Sequence, residues 1–212
     1  MGNTQKNNRV RSIDIAKGIG IILVVFGHLV TARTNISFII YSFHMPLFFT
    51  LAGIFANSKI SFLEMLKKET KRLMLPYFAV LLVGTLFSIA FFDGFQFNFK
   101  ELLYSAFTGN GAVIHNRAIW FLPCLFFVKV YFFFADRFVF QKCSTPTSFL
   151  LLGVIAIAGF YLPAYLQNKA VMVPLKADMA IMALVFFQWD ISLKSKLFVL
   201  KKWGGLKSSQ FF

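Results

Sequence analysis

Long apolar stretches separated by short polar segments dominate this sequence. Two of them, Ile19–Gly27 and Ala79–Phe92, contain no charged residue at all. A helix needs roughly 20 mostly apolar residues to cross the hydrocarbon core of a bilayer. The apolar runs predict six spans, which are Ile13–Ala32, Ile36–Ala56, Met74–Phe92, Ala118–Phe134, Ser148–Leu166 and Pro174–Trp189. The pattern therefore predicts an all-α fold, a polytopic helical bundle with about six transmembrane helices.

Composition supports a membrane protein. Hydrophobic residues make up 58% of the chain and charged residues only 14%, whereas soluble domains carry about 25% charged residues. The net charge is +14, which in a soluble protein suggests nucleic-acid binding. Here the basic residues lie between apolar segments and no nucleic-acid-binding motif is visible, so we expect the lipid bilayer as a partner and no nucleic acid.

The basic residues are distributed unevenly over the connections. Most of the 22 Lys and Arg lie in the N-terminal arm, in the loop after the second span, in the loop after the fourth span and in the C-terminal tail. The alternate connections hold only Arg33, Lys100, Arg117 and Lys169. Since basic residues mark the cytoplasmic side of a membrane, this distribution predicts a cytoplasmic N-terminus in the bacterial inner membrane.

A single membrane domain is predicted, because no linker or internal repeat interrupts the chain. Residues 1–12 form a cytoplasmic basic arm, residues 13–189 the transmembrane domain, and residues 190–212 a basic tail. A signal peptide cleaved after residues 30–32 is the alternative interpretation of the first span. Asp14, Lys17 and His28 are unusual contents for such a leader.

Three ionisable residues, Asp14, Lys17 and His28, lie in the first predicted span. On a helical wheel at about 100° per residue they share an arc of about 60°. The small residues of the span occupy the adjacent face; they are Ala16, Gly20, Gly27 and Thr31. Because ionisable groups are costly inside a membrane, we expect the polar stripe to face the protein interior. Asp14 and Lys17 alone also fit a snorkelling pair near the cytoplasmic end.

A second histidine, His44, precedes Pro46 in the second span. The proline removes one helical hydrogen bond and frees the carbonyl of Ser42, which predicts a broken helix there. We expect His28 and His44 at similar depth on adjacent antiparallel helices, around a polar site open toward the outer leaflet. Neutral imidazole is a general base near pH 7, suited to deprotonating a hydroxyl that attacks an acyl donor. Metal binding is the alternative, but His115 lies in a loop and no carboxylate lies at similar depth, so no metal is expected.

Four motifs follow one another along the chain. They are Arg11-x-x-Asp14-x-x-Lys17-Gly18 with ten residues between Lys17 and His28, Phe43-His44-Met45-Pro46-Leu47-Phe48-Phe49 with Gly53, Arg72-Leu73-x-Leu75-Pro76-Tyr77, and Trp120-Phe121-Leu122. In this order, over about Arg11–Phe187, they resemble the membrane-bound acyltransferase 3 family. Within that family the sequence is most similar to the fucose 4-O-acetylase-like branch.

The resemblance implies an O-acyltransferase that moves an acetyl group from acetyl-CoA to a hydroxyl of a cell-envelope sugar, polysaccharide or glycolipid. It implies that His28 is catalytic and that Lys17 is functionally required; Asp14 and His44 complete the predicted catalytic set. It also implies donor-binding cations in the loop after the second span, here Lys68, Lys71 and Arg72. Glu69 stands where the family usually has the first Arg of an Arg-x-x-Arg motif. No bound cofactor is expected, since acetyl-CoA is a substrate.

Members of the family generally have more spans and longer chains, so we expect this chain to be an N-terminal part of the family's domain. The alternative is a non-enzymatic membrane protein, either a truncated acyltransferase remnant or a transport subunit. A transporter typically has paired inverted repeats with broken helices in both halves. A polar site beside a proline is visible only in the first half of this sequence, which favours the acyltransferase.

Overall fold

The computed structural model describes residues 11–29, 34–54, 56, 59–92, 96–109, 117–169 and 171–188. These residues are largely helical and contain no β-strand, which confirms the predicted all-α fold. Several predicted features lie outside them: the candidate cleavage site at residues 30–32, which includes Thr31, and also Arg33, His115 and Trp189. The chain divides into two units, Met1–Phe55 with Phe186–Phe212, and Ala56–Val185. The boundaries of the basic arm and the tail stay predictions.

In the first unit, α1 (Arg11–Leu29) packs against α2 (Asn35–Gly53). Gly20 is buried, and a Cβ at this position would lie 2.9 Å from the ring of Phe48. Small residues let membrane helices approach closely, so Gly20 sets the spacing of the two helices. Phe26, on the far side of α1, is exposed. Of the predicted small-residue face, Gly20 and Gly27 are buried; the face as a whole stays a prediction.

The C-terminal end of α2 contacts residues far along the chain. A Cβ at Gly53 would collide with the carbonyl oxygen of Phe187, so only glycine fits there. The hydroxyl of Thr50 lies 2.9 Å from the carbonyl of Pro46 and 3.4 Å from that of Phe186, which is 136 positions away. The first unit is thus closed by contacts between its two distant segments.

The second unit begins with one continuous helix of 30 residues, Phe62–Phe91. It consists of α3 (Phe62–Glu69), a π-helical turn (Thr70–Met74) and α4 (Leu75–Phe91). The Oγ of Ser61 caps α3 by accepting a hydrogen bond from the backbone N–H of Glu64 at 3.2 Å. The predicted loop after the second span is therefore wrong from Phe62 onward, because a capped polar helix extends the third span.

The π-helical turn lies directly before Pro76. This proline has no N–H to donate to the carbonyl of Arg72, and its ring crowds the preceding turn. Within the π turn the backbone N–H of Leu75 bonds to the carbonyl of Thr70, five residues earlier. The wider turn lets the helix continue past Pro76 without a break.

A partly buried ion pair joins α3 to α6 (Phe121–Phe138). The Nζ of Lys129 donates to Oε2 of Glu69 at 2.7 Å, and their side chains are 19% and 8% exposed. Phe62 packs on Phe133 nearby, with ring centroids 5.6 Å apart. An unpaired charge in an apolar helix is costly, so each of these two residues requires the other, and the pair fixes the contact between the helices.

Tyr77 holds the short helix α5 (Phe99–Thr108) against α4. The side chain is fully buried, and its hydroxyl is shared between the carbonyls of Ser105 at 3.2 Å and Ala106 at 3.0 Å. Helix α5 ends at Gly109, whose φ of 72° lies in the left-handed region that glycine adopts without strain. Tyr77 thereby determines where the end of α5 lies.

The remaining helices are α7 (Thr145–Asn168) and α8 (residues 177–188). A Cβ at Gly159 would lie 2.6 Å from the backbone nitrogen of Met182, so α7 touches the backbone of α8. The hydroxyl of Tyr131 on α6 donates to the carbonyl of Ala177 at 3.1 Å. The start of α8 is therefore held by α6, and its middle by α7.

Within the described chain, three helices are long and apolar enough to cross a membrane, namely Phe62–Phe91, Ala118–Lys142 and Pro146–Asn168. They correspond to the third, fourth and fifth predicted spans. A shorter apolar helix, Phe38–Gly53, lies in the second predicted span, and α1 and α8 lie in the first and sixth. Three of the six spans thus have the length and composition expected, while the other three and the orientation stay predictions.

The ion pair between Glu69 and Lys129 makes a prediction about stability. Glu69→Gln or Lys129→Met alone leaves one charge without its partner, so we expect each to lower the free energy of unfolding by on the order of 3 kcal/mol. The double variant should lose much less than the sum. Reversible unfolding in mixed micelles, analysed as a double-mutant cycle, measures this. Glu64→Gln, at an exposed position of the same helix, is the control; losses that add without coupling would contradict the pairing.

Candidate active site

Asp14, Lys17 and His28 of α1 are not enclosed by the described chain. Asp14 and His28 are exposed, and Lys17 is half-buried. The expectation that this polar stripe faces the protein interior is therefore wrong for Asp14 and His28. The physical reason is that Gly20 and Gly27, on the adjacent face, are buried and take up the close packing. The stripe lies beside the packed face of α1.

His44, by contrast, is buried, with only 4% of its surface exposed. Its Nδ1 lies 2.6 Å from the carbonyl oxygen of Ile40, one helical turn earlier. Because a carbonyl only accepts hydrogen bonds, Nδ1 is the donor in this bond. The helix itself thus fixes the orientation of the His44 ring.

Helix α2 remains helical through Pro46, so the predicted break in this helix is wrong. Polar side chains bond backbone carbonyls on both sides of the proline: the hydroxyl of Ser42 donates to Ile39 at 2.9 Å, and that of Thr50 donates to Pro46 at 2.9 Å. The carbonyl that loses its helical donor to Pro46 is that of Ser42, so these bonds place polar groups on both sides of the proline without replacing the missing one.

The contact between Gly20 and Phe48 fixes the register of α1 and α2. Contacting helices joined by a short connection run antiparallel, so moving from Gly20 to His28 on α1 corresponds to moving from Phe48 to about residue 40 on α2. His44 lies four residues deeper, about 6 Å at 1.5 Å per residue. The two histidines therefore differ in depth by about one helical turn.

The candidate donor-binding residues lie on a helix and not in a loop. Four exposed cations, here called the basic block, follow one another on α3 and the π turn: Lys67, Lys68, Lys71 and Arg72. Glu69 and Leu73 on the opposite face are buried. Lys67 and Lys71 are four residues apart, as are Lys68 and Arg72, so the two pairs form adjacent rows along the helix. The block therefore presents a concentrated positive surface suited to phosphate groups.

Glu69 and Lys129 were not foreseen as partners from the sequence. Glu69 lies where the resemblance implies an arginine, and its carboxylate bonds to Lys129 while the neighbouring cations face outward. The available signal was Lys129 itself, because a lysine inside an apolar span requires a partner. Glu69 therefore belongs to the scaffold that orients the basic block, and not to the block.

The predicted site residues fall into two groups in the structure. The predicted catalytic residues belong to the first unit; they are Asp14, Lys17, His28 and His44. The predicted donor-binding residues belong to the second unit; they are Lys68, Lys71 and Arg72. Each group thus has its own local framework, the α1–α2 contact for one and the Glu69–Lys129 pair for the other.

Comparison with known proteins gives one family and two relatives. A family profile described as an acyltransferase domain, the acyltransferase 3 profile, matches residues 10–196. Nodulation protein NolL of Sinorhizobium fredii (strain NBRC 101917 / NGR234) is 39% identical over 100 residues, covering 41% of this chain and 27% of the relative. Nodulation protein NolL of Mesorhizobium japonicum (strain LMG 29417 / CECT 9101 / MAFF 303099) is 37% identical with the same coverage. No solved structure matches the chain.

The two kinds of match differ in extent. The match to each curated relative covers 27% of that relative's length, so these relatives support a resemblance over part of the chain. The family profile covers almost the whole sequence and includes all seven predicted site residues. On this match, the chain belongs to the acyltransferase 3 family.

Proposed function

We propose that this protein is a membrane O-acyltransferase that moves an acetyl group from acetyl-CoA to a hydroxyl of a cell-envelope sugar or polysaccharide. The observation that carries the proposal is the family match over residues 10–196. The acyl donor, the acceptor and the location in a bacterial inner membrane, with a cytoplasmic N-terminus, are parts of the proposal. The uneven distribution of Lys and Arg supports that orientation.

The proposed donor site uses the cationic residues. Acetyl-CoA carries several phosphate groups, and the exposed basic block offers both lysine and arginine donors to them. On α1, Lys17 follows Asp14 by three residues, a spacing at which opposite charges attract. We assign Lys17 to the path of the pantetheine arm, with Asp14 orienting it. His28 lies 11 residues further along α1, about 16 Å from Lys17 along the helix axis.

The proposed reaction is a direct transfer with histidine as the general base. An imidazole nitrogen of His28 takes the proton of the acceptor hydroxyl. At the same time, the hydroxyl oxygen attacks the carbonyl carbon of the thioester. The new C–O bond forms as the C–S bond breaks, and the CoA thiolate takes the proton back from the imidazolium. His44 supplies a second imidazole, held through Nδ1 by the carbonyl of Ile40, to orient the hydroxyl.

The direct test is acetyl transfer by the native chain and His28→Ala. Membranes that contain each protein are incubated with labelled acetyl-CoA and a cell-envelope glycan fraction. Loss of a general base typically slows a reaction 10²–10⁴-fold, so we expect transfer to fall by at least about 100-fold. His44→Ala should also impair transfer, and His115→Ala serves as a matched control.

Equal transfer by the native chain and by His28→Ala would contradict the assignment of His28 as the base. If the correctly inserted native chain transferred no acetyl group, the result would favour a non-enzymatic protein.

The donor site makes a separate kinetic prediction. Lys71→Gln and Arg72→Gln each remove one cation from the basic block, so we expect KM for acetyl-CoA to rise by roughly 3–10-fold with little change in kcat. Lys142→Gln, an exposed lysine in the connection between α6 and α7, is the control. The same variants should lose less with acetyl-dephospho-CoA, which has one phosphate fewer. Unchanged KM in both variants would exclude the basic block from donor binding.

A further inference from the structure

Helix α5 runs back along α4 after the third predicted span. Helix α4 ends at Phe91, and Tyr77 lies 14 residues before that end, about 21 Å along the axis at 1.5 Å per residue. The hydroxyl of Tyr77 bonds to the carbonyls of Ser105 and Ala106 in the last turn of α5. Leu102, one turn earlier in α5, packs against the same buried cluster as Tyr77. The C-terminal end of α5 therefore lies near the start of α4, far from the point at which the chain leaves α4.

The C-terminal end of α5 is shielded from water. Ser105 is only 1% exposed, and Thr108 and Gly109 are also buried. The last carbonyls of a helix have no partner within the helix and need other donors. The carbonyl of Ser105 accepts the N–H of Gly109 at 2.9 Å, and that of Ala106 accepts the hydroxyl of Tyr77 at 3.0 Å. Protein donors at these positions suit a helix end at membrane depth, because hydrocarbon offers no hydrogen bonds.

Helix α6 continues in the direction that α5 takes. Ile119, two residues before α6, belongs to the buried cluster of Tyr77. Further along α6, Lys129 donates to Glu69, which lies eight residues before Tyr77 in the continuous helix Phe62–Phe91. Along that one helix, α5 thus accompanies the part after Tyr77, and α6 accompanies the part before it.

The break between α5 and α6 is enclosed by protein. A Cβ on Gly109, which ends α5, would lie 3.2 Å from the side chain of Pro123 and 3.3 Å from the Cα of Leu175. A cavity of about 380 Å³ lies at this level, and Tyr104 and Thr108 of α5 contribute to its lining. Backbone that leaves a helix at membrane depth is tolerated where it is buried in protein or lines such a cavity.

Charge is confined to the start of α5. Lys100 and Glu101, in the first turn, are exposed. No charged residue occurs from Leu102 to Gly109, and none occurs in α4. Helix α5 therefore has a polar first turn, and the rest of it lies beside an apolar span.

An exposed apolar stripe follows one face of α5. Phe99, Leu103 and Phe107 are four residues apart, so they lie above one another on the helix, and their side chains are 60%, 53% and 50% exposed. Helix α4 also exposes large apolar side chains, such as Phe78. The helix Phe62–Phe91 is long and apolar enough to cross a membrane, so hydrocarbon is the medium at its sides. The stripe of α5 beside it is suited to the same medium.

We propose that α5 and α6 together form one broken membrane crossing, in which α5 is held at membrane depth by Tyr77 and its exposed stripe contacts lipid acyl chains. Helix α5 has ten residues, about half of the roughly 20 that a crossing requires. It occupies the half of the bilayer on the side where α4 ends, with its C-terminal end deepest. The connection between the third and fourth predicted spans is then part of the membrane domain and not an external loop.

The test measures the depth of spin labels on the full chain in lipid nanodiscs. Each label's accessibility to oxygen, which concentrates in hydrocarbon, is compared with its accessibility to a water-soluble nickel chelate. Labels are attached at Phe99→Cys, Leu103→Cys or Phe107→Cys in a chain that carries Cys143→Ala; Cys124 is fully buried and should not react. We expect the label to lie deeper by up to about 6 Å at each step from residue 99 to 103 to 107, since four residues rise about 6 Å along a helix.

Two exposed positions serve as references. Leu86→Cys, on α4, should report hydrocarbon, and Lys142→Cys, in the α6–α7 connection, should report water. Equal depth at the three positions of α5 would mean that the helix lies flat in the interface, and nickel access at Phe107→Cys would place its end in water. A label at Phe107→Cys that neither reagent reaches would mean that protein covers the stripe. Each of these three results would overturn the proposal.

The role of Tyr77 is tested in the same way. Tyr77→Phe keeps the ring but removes the hydroxyl that bonds to the end of α5, so the label at Phe107→Cys should become shallower. Thr85→Val is the matched control, because the buried hydroxyl of Thr85 donates to Leu81 of its own helix at 2.8 Å; it should leave the depth of the label unchanged. The same depth in Tyr77→Phe as in the parent chain would contradict the assignment of Tyr77.

Discussion

A charged group in an apolar helix requires a partner from the same protein, and the second unit is organised by that requirement. Lys129 lies within a span of 25 residues, and Glu69, 60 positions earlier, supplies its counter-charge. The pair fixes one face of α3 against α6, and the cations on the other face consequently point outward. The π turn then adjusts the helix before Pro76. Glu69, which lies between Lys68 and Lys71 in the sequence, therefore orients the basic block.

Side chains in the middle of α2 bond to the backbone of their own helix. The hydroxyls of Ser42 and Thr50 donate to the carbonyls of Ile39 and Pro46. Nδ1 of His44 bonds in the same way to the carbonyl of Ile40, and this bond fixes the orientation of the ring. The imidazole that we propose to orient the acceptor hydroxyl is thus held by its own helix.

Much of the helical organisation follows from the sequence, because apolar runs of sufficient length have few alternatives in a membrane. The third, fourth and fifth spans are examples. Helix α3 is not predicted by the apolar pattern, because it is short and polar and its main sequence signal is the Ser61 cap. The exposure of Asp14 and His28 does not follow from their polarity, because the close packing that Gly20 permits occupies the adjacent face of α1.

Contacts between residues that lie far apart in the chain could not be predicted from the sequence. Nothing in the local pattern identifies Glu69 as the partner of Lys129, or Phe187 as the backbone against which Gly53 packs. Asp178 could be noticed as a carboxylate near the start of a span, and its helix-start position has a ready explanation in the helix dipole. Only the structure shows that its Oδ1 lacks a donor within the described residues and that it lines a cavity.

The central claim is that the basic block binds acetyl-CoA, so that the donor must reach the protein from the side on which the block lies. Sealed vesicles of known orientation test it, with a glycan acceptor on both sides and labelled acetyl-CoA on one side only. The account predicts transfer only when acetyl-CoA is on the side of the basic block, marked by labelling of Cys143 in the α6–α7 connection with an impermeant maleimide. Equal transfer with acetyl-CoA on the other side alone would contradict it.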